Sequence, residues 1–232
     1  MTVLGIDTSS TDLSICVSVD NYPLSSVCRY VRNSHAEHIT RGVKLALELG
    51  GVAACGVTHI AVSAGPGSFT GLRIGLSFVK GFCMMTERKV LPISSLLALA
   101  RAINCRERGR RIFAALDARQ GRVHWGSFII DNNTGIRRLT TDRLSPPEEL
   151  LNELSQNDLL VTDTMGYSRS VVFNIFKDKA EIIEADKAAL QRGLSCAAFA
   201  FDTSYNESVW LQANEAAPNY LQMSAAQEKI CS

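Results

Sequence analysis

The opening residues alternate between apolar and polar side chains in a pattern that predicts two strands. Residues 1–6 form a short apolar run that ends at Asp7, and a turn-rich stretch follows over residues 8–12. Leucine, isoleucine and valine then alternate with serine and cysteine over residues 13–19. A period of two is typical of a strand, so we expect a hairpin whose first strand ends at an aspartate.

The same opening recurs in the second half of the chain. Residues 111–116 are apolar and end at Asp117, a turn passes through Gln120 and Gly121, and a second alternating strand covers residues 123–129. The Asn-Asn-Thr-Gly sequence at residues 132–135 is expected to close this hairpin, because asparagine and glycine tolerate positive φ. The repeat predicts two related lobes, formed by residues 1–104 and 105–232.

Helix and strand patterns alternate after the first hairpin. Ser34 and Glu37 have the spacing of a capping box, and the helix that they would begin ends at a pair of glycines, Gly50 and Gly51. The elements predicted next are a strand over residues 58–63, a helix over residues 71–85, a strand over residues 90–93, and a largely buried helix capped by Ser94 or Ser95.

The second half continues in the same way. Ser145 is expected to cap a helix that opens with Pro146 and Pro147, since proline loses no hydrogen bond in a first turn. Alternating helices and strands favour an α/β architecture with mixed sheets. The remaining predicted elements are strands over residues 159–162 and 181–184, an apolar helix over residues 188–201, and an irregular C-terminal stretch.

A glycine-rich loop at residues 63–75 joins a predicted strand to a helix. Within that helix, Gly71 and Gly75 each cost about 1 kcal/mol relative to alanine, so each requires a structural reason. They lie four residues apart on one helix face, which predicts close packing either inside the fold or against a second subunit. A phosphate-binding loop and a simple tight turn remain alternatives, although Leu72 and Arg73 follow Gly71 where a Walker motif has lysine and serine or threonine.

Overall charge argues against a protein that binds nucleic acid by bulk electrostatics. The 232 residues include 24 basic and 23 acidic side chains, whereas nucleic-acid-binding domains usually have a clear basic excess. The one basic cluster, residues 106–111, is interpreted as a solvated helix end and loop. With no basic leader and no apolar run of about 18 residues, we expect a soluble, cytoplasmic protein without a membrane segment.

The cysteines and histidines do not form a recognisable metal or disulfide pattern. Seven cysteines, none in Cys-x-x-Cys spacing, argue against a disulfide scaffold or a zinc ribbon and are compatible with a reducing compartment. His35 and His38 flank Glu37 and could in principle contribute to a zinc site, but they are interpreted as solvent-facing residues at a helix start. His59 and His124 are interpreted as structural histidines.

Four stretches resemble one known family. They are GPGSFTGLRIG at residues 65–75, LGIDTSS at residues 4–10, LDARQGRVHWGSF at residues 116–128 and PNYLQ at residues 218–222. Together they resemble the TsaB (YeaZ) family, whose members take part in forming threonylcarbamoyladenosine in tRNA. The resemblance covers nearly the whole chain and implies the duplicated two-lobe fold of the actin–hexokinase–sugar kinase superfamily. Gln222 departs from the arginine that is common after the Tyr-Leu pair.

This resemblance implies a subunit without catalytic residues. TsaD-type relatives carry a His-x-x-x-His metal-binding motif, and the matching positions here are Ser95 and Leu99, so we expect neither a metal site nor catalysis. The implied partners are a TsaD-type catalytic subunit and a TsaE-type ATPase, with a homodimer when the chain is alone. Contact with tRNA would be indirect, through the complex. No cofactor is expected to bind tightly, and ATP or ADP would be held in the complex with the partner.

The expected contact surface lies on two helices of the first lobe. Asp7, Thr8, Ser9 and Asp117 correspond to nucleotide-binding positions of the superfamily and are expected to be vestigial, since no glycine directly follows Asp117. An autonomous ATP-binding enzyme of the sugar-kinase-like superfamily and a metallopeptidase-like protein remain the alternatives. The predicted dimer and partner interface comprises Gly67, Ser68, Phe69, Thr70, Gly71, Arg73, Ile74, Gly75 and Phe78, together with His38 and Ile39.

Overall fold

The computed structural model describes residues 1–31, 34–102, 109–118, 120–131, 135–162, 176, 181–184, 192–202 and 210–221. Three sequence predictions lie outside these residues: the lobe boundary between residues 104 and 105, the turn at residues 132–134 and the departure at Gln222. Half of the basic cluster, residues 106–108, lies outside them as well.

The first sheet contains the predicted N-terminal hairpin at its centre. Its spatial order is β3-β2-β1-β4-β5, in which β1 is antiparallel to β2 and parallel to β4. β1 and β2 are almost entirely buried because helices cover both faces of the sheet. The strands are β1 (Thr2–Asp7), β2 (Asp12–Val19), β3 (Tyr22–Tyr30), β4 (His59–Gly65) and β5 (Lys89–Ser94).

The second sheet repeats this topology. Its order is β11-β10-β6-β7-β8, with β6 antiparallel to β7 and parallel to β10, so β6 stands where β1 stands in the first sheet. The duplication predicted from the two similar openings is therefore confirmed, and Asp7 and Asp117 end equivalent strands. The strands are β6 (Arg111–Asp117), β7 (Val123–Asp131), β8 (Gly135–Arg138), β9 (Arg143–Ser145, paired with β7), β10 (Leu159–Thr162) and β11 (Glu181–Glu184).

Two long helices cover one face of the first sheet and contact each other. They are α1 (His35–Leu49) and α2 (Phe69–Cys83). In α1 the buried positions include Ile39, Val43 and Ala46, whose spacing of three to four residues places them on one face. Both helices end near the predicted positions, α1 at the glycine pair, whereas α2 starts at Phe69 rather than at Gly71.

Two further helices lie between the sheets. Helix α3 (Ser95–Arg101) packs on strands of both sheets, and all of its residues except Arg101 are buried. Helix α5 (Arg192–Phe199) comes from the second half of the chain but packs mainly on β1 and β2. One apolar cluster therefore includes side chains of both lobes. Helix α4 (Pro147–Glu153) follows β9 in the second half of the chain.

The predicted helix caps are only partly correct. The Ser94 hydroxyl accepts a hydrogen bond from the Leu97 amide at 3.2 Å, as expected of a cap. Ser34 precedes α1, but its hydroxyl donates to the Val31 carbonyl instead, so the capping box is wrong. Pro146 occupies the cap position of α4, because the Ser145 hydroxyl already accepts a hydrogen bond from the indole of Trp125.

No helix within the described ranges has both the length and the apolar character that crossing a lipid bilayer requires.

Candidate functional site

The β1–β2 turn forms a buried polar cluster around Asp7. The Asp7 carboxylate is fully buried and accepts hydrogen bonds from the Ser9 amide at 3.0 Å, the Ser9 hydroxyl at 2.9 Å and the Ser63 hydroxyl on β4. Thr8 and Ser9 are buried as well. Donors of this chain thus occupy much of the accepting capacity of the carboxylate, which offers about four sites.

Arg192, the first residue of α5, completes this cluster with a buried positive charge. Its side chain is fully buried, and its Nε lies 3.9 Å from Oδ1 of Asp7. Its Nη2 lies 3.7 Å from Oδ2 of Asp12 and donates a hydrogen bond to the Ser10 hydroxyl. A guanidinium from the second half of the chain therefore neutralises carboxylates of the first half, as buried charges require.

Of the four positions predicted as vestigial nucleotide contacts, the structure brings three together. Asp7, Thr8 and Ser9 share the buried turn, whereas Asp117 ends β6 in the other sheet and is partly exposed. The turn after Asp117 is closed by a hydrogen bond from the Ala118 amide to the Arg122 carbonyl at 3.0 Å. In this arrangement the guanidinium of Arg192 lies beside the Asp7 carboxylate.

The two positions that the sequence resemblance matched to a His-x-x-x-His motif are buried in α3. Ser95 and Leu99 are both fully shielded from solvent, and Leu99 belongs to the apolar cluster between the sheets. Neither side chain can hold a metal ion as histidine does. In the part of the chain that the structure describes, no three histidine, cysteine or acidic side chains are grouped as metal ligands.

The histidines require one correction. His35 was expected to face solvent but is buried, and its Nε2 lies 3.3 Å from the Asp12 carbonyl. Burial lowers the pKa of His35 below its ordinary value. His38 is half-buried one turn later. His59 packs edge-on against Trp210, and His124 is buried on β7. That both are structural histidines stays a prediction.

The two mid-helix glycines of α2 are explained by the same β1–β2 turn. A Cβ atom on Gly71 would lie 2.1 Å from the Thr8 carbonyl oxygen, and one on Gly75 would lie 2.3 Å from Thr8 Oγ1. The Ser68 amide also donates to the Ser9 carbonyl at 2.7 Å. The predicted close packing is therefore inside the fold.

Three residues of the predicted contact surface are buried within the chain. Gly71 and Gly75 pack against Thr8, and Ile39 lies in the core beneath α1, which leaves little of their surface for a partner. The other predicted interface residues are exposed or half-buried, and whether they contact a partner stays a prediction. These residues are Gly67, Ser68, Phe69, Thr70, Arg73, Ile74, Phe78 and His38.

An apolar groove of about 420 Å³ opens between α1 and α2. We call it the α1–α2 groove. Phe78 and Phe82 of α2 stack 5.7 Å apart along one wall, and exposed methionines, Met84 and Met85, follow the end of the helix. Single exposed apolar residues are ordinary, but a contiguous apolar groove indicates a binding surface. The lining residues are Thr40, Val43, Lys44, Leu47, Glu48, residues 51–54, Phe78 and Phe82.

The sequence did not single out several residues of these sites. Arg192 lies in a predicted apolar helix, and an isolated charge in such a helix is the signal that could have marked it as part of a buried pair. Tyr220 belongs to a stretch predicted only as irregular, yet its ring stacks on Phe69 at 4.7 Å. Phe82, Met84 and Met85 extend the apolar surface beyond the predicted contact residues.

Comparison with known proteins gives three consistent results. The family model described as "TsaD: tRNA N6-adenosine threonylcarbamoyltransferase" matches residues 27–228. The tRNA threonylcarbamoyladenosine biosynthesis protein TsaB of Escherichia coli is 28% identical over 156 residues, which are 67% of this chain and 67% of that protein. The structure of YeaZ from Pseudomonas aeruginosa superposes with a TM-score of 0.75 at 26% identity, and the match covers 95% of this chain and 99% of YeaZ.

A more distant structure supports the fold alone. The activator of 2-hydroxyisocaproyl-CoA dehydratase from Clostridium difficile, with bound ADPNP, has a TM-score of 0.54 at 14% identity and covers 87% of this chain and 94% of the activator chain. The fold is thus the duplicated, actin-like α/β fold, with mixed sheets flanked by helices, that the repeated hairpins and the resemblance predicted.

Proposed function

Because this chain belongs to the TsaD family of tRNA N6-adenosine threonylcarbamoyltransferases and, within it, to the TsaB (YeaZ) group, we propose that it is a non-catalytic partner subunit that binds and activates a TsaD-type catalytic subunit. The reaction served is the formation of N6-threonylcarbamoyladenosine in tRNA. The same proposal includes a TsaE-type ATPase in the assembly, ATP or ADP bound in the complex, tRNA reached only through the partner, and a homodimer when the chain is alone.

The α1–α2 groove is the observation that carries this proposal. Phe78 and Phe82 line it and are only half-buried, so a partner that covers their rings would remove further apolar surface from water. Burial of apolar surface contributes about 25 cal/mol for each Å², and a stable interface usually covers roughly 800 Å² on each partner. The two helices provide a continuous surface on which such a contact can form.

The buried positions of α3 support the non-catalytic part of the proposal. A hydroxyl and an aliphatic side chain, Ser95 and Leu99, stand where two imidazoles would be needed. The Asp7 cluster disfavours the autonomous ATP-binding alternative, because Arg192 already provides the neutralising charge. The donor set likewise disfavours a metallopeptidase, since within the described residues His35 has a backbone carbonyl as its neighbour rather than other ligands.

Co-purification with the TsaD-type subunit, followed by a threonylcarbamoyl-transfer assay, tests the proposal. We expect transfer to tRNA by the pair and none by this chain alone. Thr40→Arg introduces bulk at the exposed rim of the groove without entering the core and should weaken binding by about tenfold or more. Tyr22→Arg, at an exposed position of edge strand β3, is the matched control.

Two results would refute this assignment. Transfer to tRNA by the isolated chain would exclude the non-catalytic role. Equal affinity of the Thr40→Arg and Tyr22→Arg variants for the TsaD-type subunit would mean that the partner binds elsewhere.

A further inference from the structure

The C-terminal residues 210–221 cross the first lobe as an extended strap. Leu211 forms an antiparallel bridge with Val90 on edge strand β5, and Ala216 is fully buried in the core beneath α1 and α2. The Asn219 amide donates to the Ala64 carbonyl at 2.6 Å. The strap is thus attached at its start, middle and end to the lobe that carries the α1–α2 groove.

The strap contacts both charged side chains of α2. Arg73 and Lys80 are exposed and are the only charged residues in that helix. The Arg73 guanidinium lies 3.9 Å from the centre of the Phe69 ring, and its Nε donates to the Tyr220 hydroxyl at 2.9 Å. Lys80 Nζ donates to the Asn214 carbonyl at 3.4 Å. Two cations on one helix are therefore oriented by a single segment from the other end of the chain.

The spacing of these cations defines what they can bind. Seven residues separate Arg73 from Lys80, which places them on one face about 10 Å apart along the axis. With Nε bonded to Tyr220, the guanidinium retains its Nη groups, a donor pair suited to a carboxylate.

We propose that the strap orients Arg73 and Lys80 to receive two carboxylates of the TsaD-type partner that lie about two helical turns apart on its docking helix. This inference rests on the proposed function and adds the chemistry of the contact. Phe69, Arg73 and Tyr220 form its anchor, since arginine and tyrosine are enriched among residues that dominate binding energy. Tyr220 is a positioning residue, which acts by fixing the guanidinium before the partner arrives.

Charge reversal tests the carboxylate contacts. Arg73→Glu should weaken binding of the TsaD-type subunit by about thirtyfold and Lys80→Glu by about tenfold, and the salt dependence of the dissociation constant should flatten in the double variant. Arg137→Glu, at an exposed position on β8 of the other lobe, is the matched control and should leave binding and its salt dependence unchanged.

Two substitutions of Tyr220 test the strap itself. Tyr220→Phe keeps the stack on Phe69 but removes the hydroxyl that Arg73 requires, and should weaken binding by about threefold. Tyr220→Ala removes both and should weaken it by about tenfold. Hydrogen exchange of residues 68–80 in the isolated variants should rise only near the start of α2, while the unfolding midpoint stays close to that of the wild type.

The outcomes separate this inference from the proposed function. If the wild-type chain does not bind the TsaD-type subunit, the proposed function fails. If the wild-type chain binds but Arg73→Glu and Tyr220→Ala bind equally well, the docking surface stands and the inference about the strap is wrong. An unchanged exchange pattern in Tyr220→Ala would also contradict it, whatever the partner does.

Discussion

Replacement of Arg192 by methionine is the most direct test of the buried cluster between α5 and the β1–β2 turn. Methionine keeps much of the length and volume of the side chain but removes the positive charge. Asp7 and Asp12 would then remain buried as two carboxylates without their guanidinium partner. Breaking a buried pair on one side is costly because the remaining charge stays desolvated.

The magnitude follows from the geometry. At an effective dielectric constant of about 20, unit charges separated by 3.9 Å or 3.7 Å attract each other by about 4 kcal/mol. Part of this attraction only offsets the cost of burying the charges, so we expect a net loss of about 3–5 kcal/mol in the free energy of unfolding. For a chain of this size that corresponds to a fall of roughly 6–20 °C in Tm.

Urea and thermal unfolding of the purified chain measure this loss. Arg192→Lys, which keeps the charge but loses the planar fork, should lose less than half as much, and Arg41→Met at an exposed position of α1 should change stability by no more than about 0.5 kcal/mol. In a double-mutant cycle, Asp12→Asn should recover part of the loss in Arg192→Met. If Arg192→Met lowers the free energy of unfolding by less than about 1 kcal/mol, the view that this guanidinium stabilises the buried Asp7 and Asp12 carboxylates is refuted.

Three further predictions follow from the same structure. Gly75→Ala should lower the free energy of unfolding in urea by about 1–2 kcal/mol, and a second substitution, Thr8→Ala, should recover part of that loss. Thr8→Ala should recover none of the loss in Gly71→Ala, because the Cβ added at Gly71 meets the Thr8 backbone oxygen. Equal recovery in both double variants would contradict the assigned contacts. Burial, aided by the nearby charge of Arg122, lowers the pKa of His124 from 6.5 to about 4. Since the pKa of His124 is lower in the folded state than in the unfolded state, the free energy of unfolding should decrease as pH falls from 6.5 to 4, by about 3 kcal/mol more in wild type than in His124→Gln. Parallel plots of unfolding free energy against pH for the two proteins would argue against this effect. After brief maleimide treatment, mass-spectrometric mapping should find Cys55, which is exposed, modified. Cys16, Cys83 and Cys196 should stay unmodified until the chain unfolds, because they are buried and burial raises the pKa of each thiol. Early labelling of Cys196 would mean that α5 detaches from the first sheet.

The sequence predicted those parts of the fold that are encoded locally. Alternation over residues 13–19 and 123–129 marked both hairpins, and the aspartates at the ends of β1 and β6 marked the duplication that the two sheet orders confirm. Gly71 and Gly75 correctly indicated a close approach. The approaching group, Thr8, could not be identified, because its distance along the chain from α2 leaves no local pattern.

Side-chain hydroxyls and charges were harder to place than strands. Ser34 stands at the cap position of α1, but its hydroxyl donates to the Val31 carbonyl. Ser145 lies one residue before the cap position of α4, and its hydroxyl accepts a hydrogen bond from the Trp125 indole. The pairing of Arg192 with Asp7 and the stacking of Tyr220 on Phe69 join residues that are more than 100 positions apart in the sequence. Such contacts depend on the tertiary fold, and periodicity carries no information about them.

The filled space between the two sheets has a mechanical consequence. Leu96 and Leu99 of α3 and Phe199 of α5 fill this space and belong to one apolar cluster with side chains of both sheets. A hinge motion that separated the two lobes would expose all of these apolar side chains to water at once. We therefore expect the two lobes to move as one rigid body rather than to open and close.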